Sequence, residues 1–235
     1  MPTFVALDNQ QHKSLKVSTQ TIEAQGAEER MVPVVLSEFL KLAVHYPIAF
    51  TKNMETGKFL CVALLGFEEK ENLFWQNNSW DSIYTPLNIM RQPFFIGNDN
   101  GTGVICINSE SPCLSTQEGE AIFDGDGADA SYLQKIKVML AELLQGEAQT
   151  AEFIQSLLEL KLIMPMALDI TFANQQEQRV EGLYTIDEDQ LAGLSGEQLL
   201  LLQQKEYLKP IYTMIVSLSH IYALIHKKNQ RLAQA

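Results

Sequence analysis

Apolar positions change their spacing partway along the chain. Between residues 31 and 128 they gather in short runs of strand length, and from residue 129 onward they recur every three or four positions. The first pattern predicts strands. Ile48 to Thr51 and Phe59 to Leu65 read as a hairpin around Lys52 to Lys58, where Asn53 and Gly57 supply turn chemistry. Cys61 to Leu65 is apolar on both faces, so that strand is expected in the middle of a sheet with both sides covered. Pro47 ends whatever precedes it. Further strands are expected from Asn72 to Trp75 and from Val104 to Ile107, with a turn from Asn98 to Gly103 between them. Ser37 has the chemistry of a cap for a short helix from Glu38 to Val44. Residues 1–30 read as an irregular N-terminal segment in which Lys13 to Val17 alternates like an edge strand.

The second pattern predicts helices. Tyr132, Leu133, Ile136, Leu140, Leu143 and Leu144 repeat at helical spacing up to Gly146, which reads as a stop. Thr150 then reads as the cap of a second helix that Pro165 breaks. Ala167 to Phe172 and Arg179 to Ile186 predict a hairpin around the polar loop Asn174 to Glu177, and Gly196 opens another helix. These elements give an α+β fold: a mixed or antiparallel sheet in the N-terminal half (31–128), with a helix-rich C-terminal half (129–235) packed on it. Residues 31–235 are expected to form a single domain.

The final helix is expected from Tyr207 to about Lys228. Lys209, Thr213, Ser217, His220 and Lys227 fall in one narrow polar stripe, and apolar side chains occupy most of the remaining circumference. Two ways of covering them stay open. The helix either runs through the centre of the helical half or presents a partner-binding or homodimer face.

Composition narrows the function more than the fold. Net charge is −12, from 29 acids against 17 bases, which argues against nucleic-acid or anionic-membrane binding. The first residues lack a basic and then apolar leader pattern, and no run approaches the ~18 uninterrupted apolar residues of a membrane span. Cys61, Cys106 and Cys113 have no CxxC spacing and fit a reducing, cytoplasmic setting. The acidic run Asp124 to Asp129 fails as a calcium loop, because Asp129 and Lys135 stand where glycine and glutamate are required. It reads instead as a turn whose Asp129 or Ser131 caps the next helix. His220 and His226 are six residues apart, too far around a helix to share a metal, so neither metal nor cofactor is expected. Phosphate-binding, nucleophile-elbow and zincin motifs are absent from the sequence.

One polar constellation stands out: Glu71, Asn72, Trp80, Asp81, Tyr84 and Arg91, set among large apolar groups. An arginine near carboxylates and aromatic rings binds a planar anion or peptide terminus. The same residues also fit an internal network in which Arg91 pairs with Glu71 or Asp81 and rests on a ring.

Tyr46-Pro47-Ile48-Ala49-Phe50, Ala63-Leu64-Leu65-Gly66, Glu71-Asn72-Leu73-Phe74, Tyr84-Thr85-Pro86 and Arg91-Gln92-Pro93-Phe94 together resemble the SapC family of bacterial proteins, named for a surface-layer secretion locus. Gly119 to Gly127, Glu181 to Glu188 and Ser217-Leu218 continue the resemblance in the family's order. The chain departs from it at Lys205-Glu206-Tyr207-Leu208, where family members tend to carry a glycine before the last helix, and this leaves the helix break there open. The resemblance implies an accessory protein with no settled activity, often encoded beside TonB-dependent receptors. The expected function is therefore a non-enzymatic cytoplasmic binding or accessory protein for a surface-protein or receptor-linked system, with a protein or peptide partner. The alternative is an enzyme acting on a peptide or small metabolite, with Arg91 as anion anchor and Glu71, Asp81 or Tyr84 as acid and base.

Overall fold

The computed structural model describes residues 3–99 and 102–234. In chain order its first elements are β1 (Phe4–Ala6), β2 (Lys16–Val17), β3 (Met31–Pro33), α1 (Phe39–Leu42), β4 (Ile48–Lys52) and β5 (Phe59–Leu64). There follow β6 (Trp75–Gln76), β7 (Ser79–Trp80), α2 (Leu87–Met90), β8 (Phe94–Asp99), β9 (Thr102–Asn108), β10 (Leu114–Ser115) and β11 (Glu120–Ala121). The last part holds α3 (Ser131–Glu159), β12 (Ile163–Thr171), β13 (Glu177–Ile186), α4 (Glu188–Ala192), α5 (Gly196–Gln204), α6 (Leu208–Ser217) and α7 (His220–Gln234). The fold is α+β with antiparallel sheets. The turn expected at Asn98 to Gly103 falls partly on residues 100–101, outside the described residues.

The main sheet has the order β12-β13-β4-β5-β3, and every pairing in it is antiparallel. Cys61, Val62, Ala63 and Leu64 of β5 are all buried, as a strand covered on both faces must be. The C-terminal hairpin thus extends a sheet that begins in the N-terminal half. Pro165 sits on the outer strand β12, where its missing N–H disrupts no ladder.

The segment expected to be irregular is built into the fold. β1 pairs with β9, and β2 lies between β10 and β11. Val17 and Ile22 are buried in a second core with Phe94, Ile107, Ile122 and Leu133. The alternation at Lys13 to Val17 does mark a strand, but only Lys16–Val17 pairs and it lies in the middle of its sheet, not at an edge. β1 leaves no such signal, and long-range pairing supplies what local propensity lacks.

α3 is one helix where two were expected, and the reason lies in what touches it. A Cβ on Gly146 would come 2.7 Å from Cβ of Val35, so this glycine permits close packing and stops nothing. Thr150 caps no helix; its Oγ1 accepts from the Leu36 N–H at 3.1 Å. The unbroken helix joins two cores, with Leu133, Ile136 and Leu140 in the smaller one and Phe153, Ile154 and Leu157 in the larger. Neither Ser37 nor Asp129 acts as a cap: Ser37 donates to Glu142, and Asp129 pairs with Lys137 while Ala130 holds the cap position of α3.

The helix break before the last helices does form. Glu206 takes a left-handed conformation, φ 59°, in the place where glycine is usual, and the Tyr207 N–H closes the end by donating to the Leu202 carbonyl. Beyond it the expected single helix is interrupted after Ser217. Part of its polar stripe, Ser217 and His220, faces inward, while Lys209 stays exposed. Ser217 Oγ accepts from the Ile48 N–H at 2.9 Å, a donor that the short β13–β4 pairing leaves free. His220 Nε2 lies 2.8 Å from the Ala43 carbonyl. By length and composition Leu208–Gln234 is apolar enough to cross a membrane, although no uninterrupted apolar run suggests it. Here its polar side is fastened to the end of the sheet.

Candidate functional site

The loop after β5 folds back sharply, and that reversal places the first two residues of the constellation. Gly66 makes it possible, because a Cβ there would lie 2.3 Å from the Glu71 carbonyl oxygen. Lys70 adopts φ 59° at the tip. Glu71 then closes the loop from within, its Oε2 accepting from the N–H groups of Phe67 (2.9 Å) and Glu68 (3.3 Å). Its other oxygen takes the ammonium of Lys228 at 2.6 Å, and Glu68 adds a second carboxylate at 2.9 Å. Lys228 belongs to α7, so the last helix delivers the countercharge. Burial depresses the Lys228 pKa, but hydrogen bonds and charge from Glu71 and Glu68 outweigh it, and the net shift is upward.

Asn72 is equally committed. Its Nδ2 donates to the Gly26 carbonyl at 2.7 Å and its Oδ1 accepts from the Phe74 N–H at 2.8 Å. Gly26 leaves room for Trp80, whose ring a Cβ would meet at 2.7 Å. Arg231, one helical turn beyond Lys228, donates to the carbonyls of Asn72 (2.8 Å) and Trp75 (3.0 Å). The polar stripe read from periodicity includes Lys227 but neither Lys228 nor Arg231.

A second chain of contacts runs through the aromatic hydroxyls. Trp80 Nε1 donates to Tyr46 Oη at 2.7 Å, and Tyr46 Oη donates to the Tyr84 carbonyl at 2.6 Å. Burial pushes the Tyr46 pKa up to about 12. Tyr84 Oη in turn donates to Glu38 at 3.0 Å. Glu38 is fully buried, and it also accepts from the N–H groups of Leu87 (2.8 Å) and Val35 (3.2 Å). Sequence reasoning used Glu38 only as a helix-start residue. Burial raises its pKa, and those three hydrogen bonds offset only part of the rise. Burial, with the charge of Glu38, raises that of Tyr84 as well.

Arg91 stands apart from these groups. Its Nε donates to Asn88 Oδ1 at 2.7 Å, its Nη1 donates to the Phe94 carbonyl at 2.8 Å, and its guanidinium lies 4.2 Å from the centre of the Phe95 ring. The aromatic seat is as expected. The pairing with Glu71 or Asp81 does not form: Glu71 holds Lys228, and the exposed carboxylate of Asp81 holds Lys227. Burial lowers the Arg91 pKa, and the charge of Glu147 only partly opposes this.

The structure therefore gathers Glu71 and Asn72 at one junction with the last helix, Trp80 and Tyr84 on a neighbouring hydroxyl chain, and leaves Asp81 and Arg91 on their own partners. A polar cavity of about 360 Å³ adjoins Asn72 and Arg231, with Trp75, Asn77, Gln230 and Gln234 in its wall. Its amides and guanidinium suit hydrogen bonding to a polar group such as a peptide unit. Among the described residues no three His, Cys, Asp or Glu side chains come together as a metal site. The three cysteines are free thiols. Compared with known proteins, the chain is matched by the model of one family, SapC, over residues 7–224. No curated protein and no solved structure matches it.

Proposed function

The chain belongs to the SapC family, and from that premise we propose that it is a non-enzymatic binding or accessory protein of the bacterial cytoplasm, acting in a surface-protein or receptor-linked system through a protein or peptide partner. One observation carries this reading. The groups an enzyme would use for acid and base chemistry are engaged with the protein's own chain: Glu71 with Lys228 and two backbone N–H groups, Tyr84 with Glu38, and Asp81 with Lys227. A general acid or base must lie within reach of the proton that it moves. These side chains instead fasten loops and helices, and Arg91 lies on separate partners. Carboxylates and a lysine held inside a fold serve as structural ties when each has its partners.

The test is capture from a native bacterial lysate with the full chain, followed by mass spectrometry of proteins and small molecules. The expected result is a stoichiometric protein or peptide that is released chemically unchanged. A captured small molecule or peptide that the purified chain converts to a product would overturn the reading.

A further inference from the structure

We infer that the outward face of α6 and α7 is an isologous interface at which two copies of this chain join as an antiparallel helix pair. This goes beyond an accessory role, which a monomer could equally fill. Tyr212 and Val216 of α6, Ser219 of the turn between the two helices, and Ala223, His226 and Gln230 of α7 are spaced alternately by four and three residues, the spacing of a coiled-coil seam, and all six are exposed. No Asp, Glu, Lys or Arg lies on that seam. Beside it Tyr222 is 79 % exposed, and only 22 % of the most apolar stretch of Leu208–Gln234 is buried. A surface helix ordinarily turns its apolar side inward. These helices do turn Ile211, Met214 and Leu224 into the core, with Ser217, His220 and Lys228 bonded to the fold beside them, and Tyr212, Val216 and Tyr222 are left outside in addition.

Charge selects the occupant. Residues 207–235 contain no acid and four bases, Lys209, Lys227, Lys228 and Arg231. Three of the four are spent internally, on Asp81, on Glu68 with Glu71, and on backbone carbonyls. Little cationic surface remains to hold an anionic membrane, which would repel a chain of net charge −12. Two such chains also repel each other, except where they meet along a stripe that carries no charge.

Area and symmetry agree with a second copy. α1 lies against α6, where Leu40, Leu208 and Thr213 line one cavity, and Leu40 and Val44 are 55 % and 50 % exposed. With Tyr212, Val216 and Tyr222 they expose apolar surface on the order of 600 Å². A standard interface needs about 500 Å² of apolar surface from each partner. A two-fold axis between Ser219 and Ala223 sets Ser219 against Ala223 of the second copy, Val216 against His226 and Tyr212 against Gln230. The small residues then lie at the crossing, where two backbones approach most closely.

The test is sedimentation equilibrium of the full chain beside Val216→Glu and Ala223→Glu, two exposed positions where a carboxylate leaves the fold intact. The wild type is expected to sediment as two chains. Each variant should associate at least about tenfold more weakly with an unchanged circular dichroism spectrum. A wild type that stays a single chain up to about 100 µM overturns the inference, as does a dimer that both variants leave unchanged. Flotation of a single-chain wild type with phosphatidylcholine or phosphatidylglycerol vesicles would identify a lipid surface as the occupant and overturn it too. Register is read by mixing Ser219→Cys with Ala223→Cys chains under mild oxidation. Cross-links between unlike variants, above the wild-type background, are expected to exceed those between like ones, and the reverse order rules out the antiparallel pairing.

Discussion

Glu71 and Glu38 are both buried carboxylates, 8 % and 0 % exposed, yet they are held by different means. Glu71 is neutralised by a lysine 157 residues away in sequence. Glu38 makes no ion pair among the described residues and is met by one tyrosine hydroxyl and two backbone N–H groups. The first arrangement ties the last helix to the loop after β5. The second ties the start of α1 to the segment entering α2. A charge kept far from solvent needs a countercharge or several donors, and this fold uses one solution at each end of the constellation.

Removing the countercharge should have the largest effect. Lys228→Ala leaves Glu71 buried and unpaired, which is expected to cost about 3–5 kcal/mol in urea unfolding. Adding Glu71→Gln to the same chain should restore part of that loss, because the stranded charge disappears. A single-variant loss below about 1 kcal/mol would mean that the last helix is held by its apolar contacts alone.

Glu38 tests the other half. Glu38→Gln keeps an acceptor for Tyr84 and Leu87 but turns an NH₂ group toward the Val35 N–H, so a loss of about 1–3 kcal/mol is expected. Its pH dependence has a defined sign. Burial raises the folded pKa of Glu38, so the stability it contributes is complete at acid pH and declines as pH rises through that folded value. The advantage of wild type over Glu38→Gln should therefore be larger at pH 4.5 than at pH 8, as read from paired unfolding curves (the pH values are about those bracketing an ordinary and a raised carboxyl). An advantage that grows with pH would show that the three hydrogen bonds outweigh burial.

The smallest effect belongs to the exposed version of the same contact. Asp81 pairs with Lys227, but its side chain is 60 % exposed. Asp81→Asn is expected to change stability by about 0.5 kcal/mol, and less at high salt. A loss comparable with that of Lys228→Ala would erase the distinction between the buried and the exposed pair.

Much of the fold was legible because its cause is local. Pro47, the turn residues Asn53 and Gly57, and the doubly apolar run Cys61 to Leu65 together specify the β4–β5 hairpin. Gly196 reads as the start of α5, whereas its reciprocal cap, with the Ser195 hydroxyl accepting from the Gln198 N–H and the Gln198 side chain accepting from the Ser195 N–H, goes unread although its spacing is local. The candidate site was legible only as a list of residues. Glu71, Asn72, Trp80, Asp81, Tyr84 and Arg91 lie close in sequence, while the partners that decide their roles include Gly26, Glu38, Lys227 and Lys228.

By itself the sequence determined the family, the element types and the stripe of polar residues on the last helix. Tertiary structure alone decided which way that stripe points, what Gly146 and Thr150 are for, and which cation neutralises Glu71. The physical reason is the same in each case. Periodicity and turn chemistry act over a few residues and are written in order along the chain. A buried donor, acceptor or missing Cβ takes its meaning from whatever packing brings against it, and for Ser217 and Ile48 that neighbour lies 169 residues away.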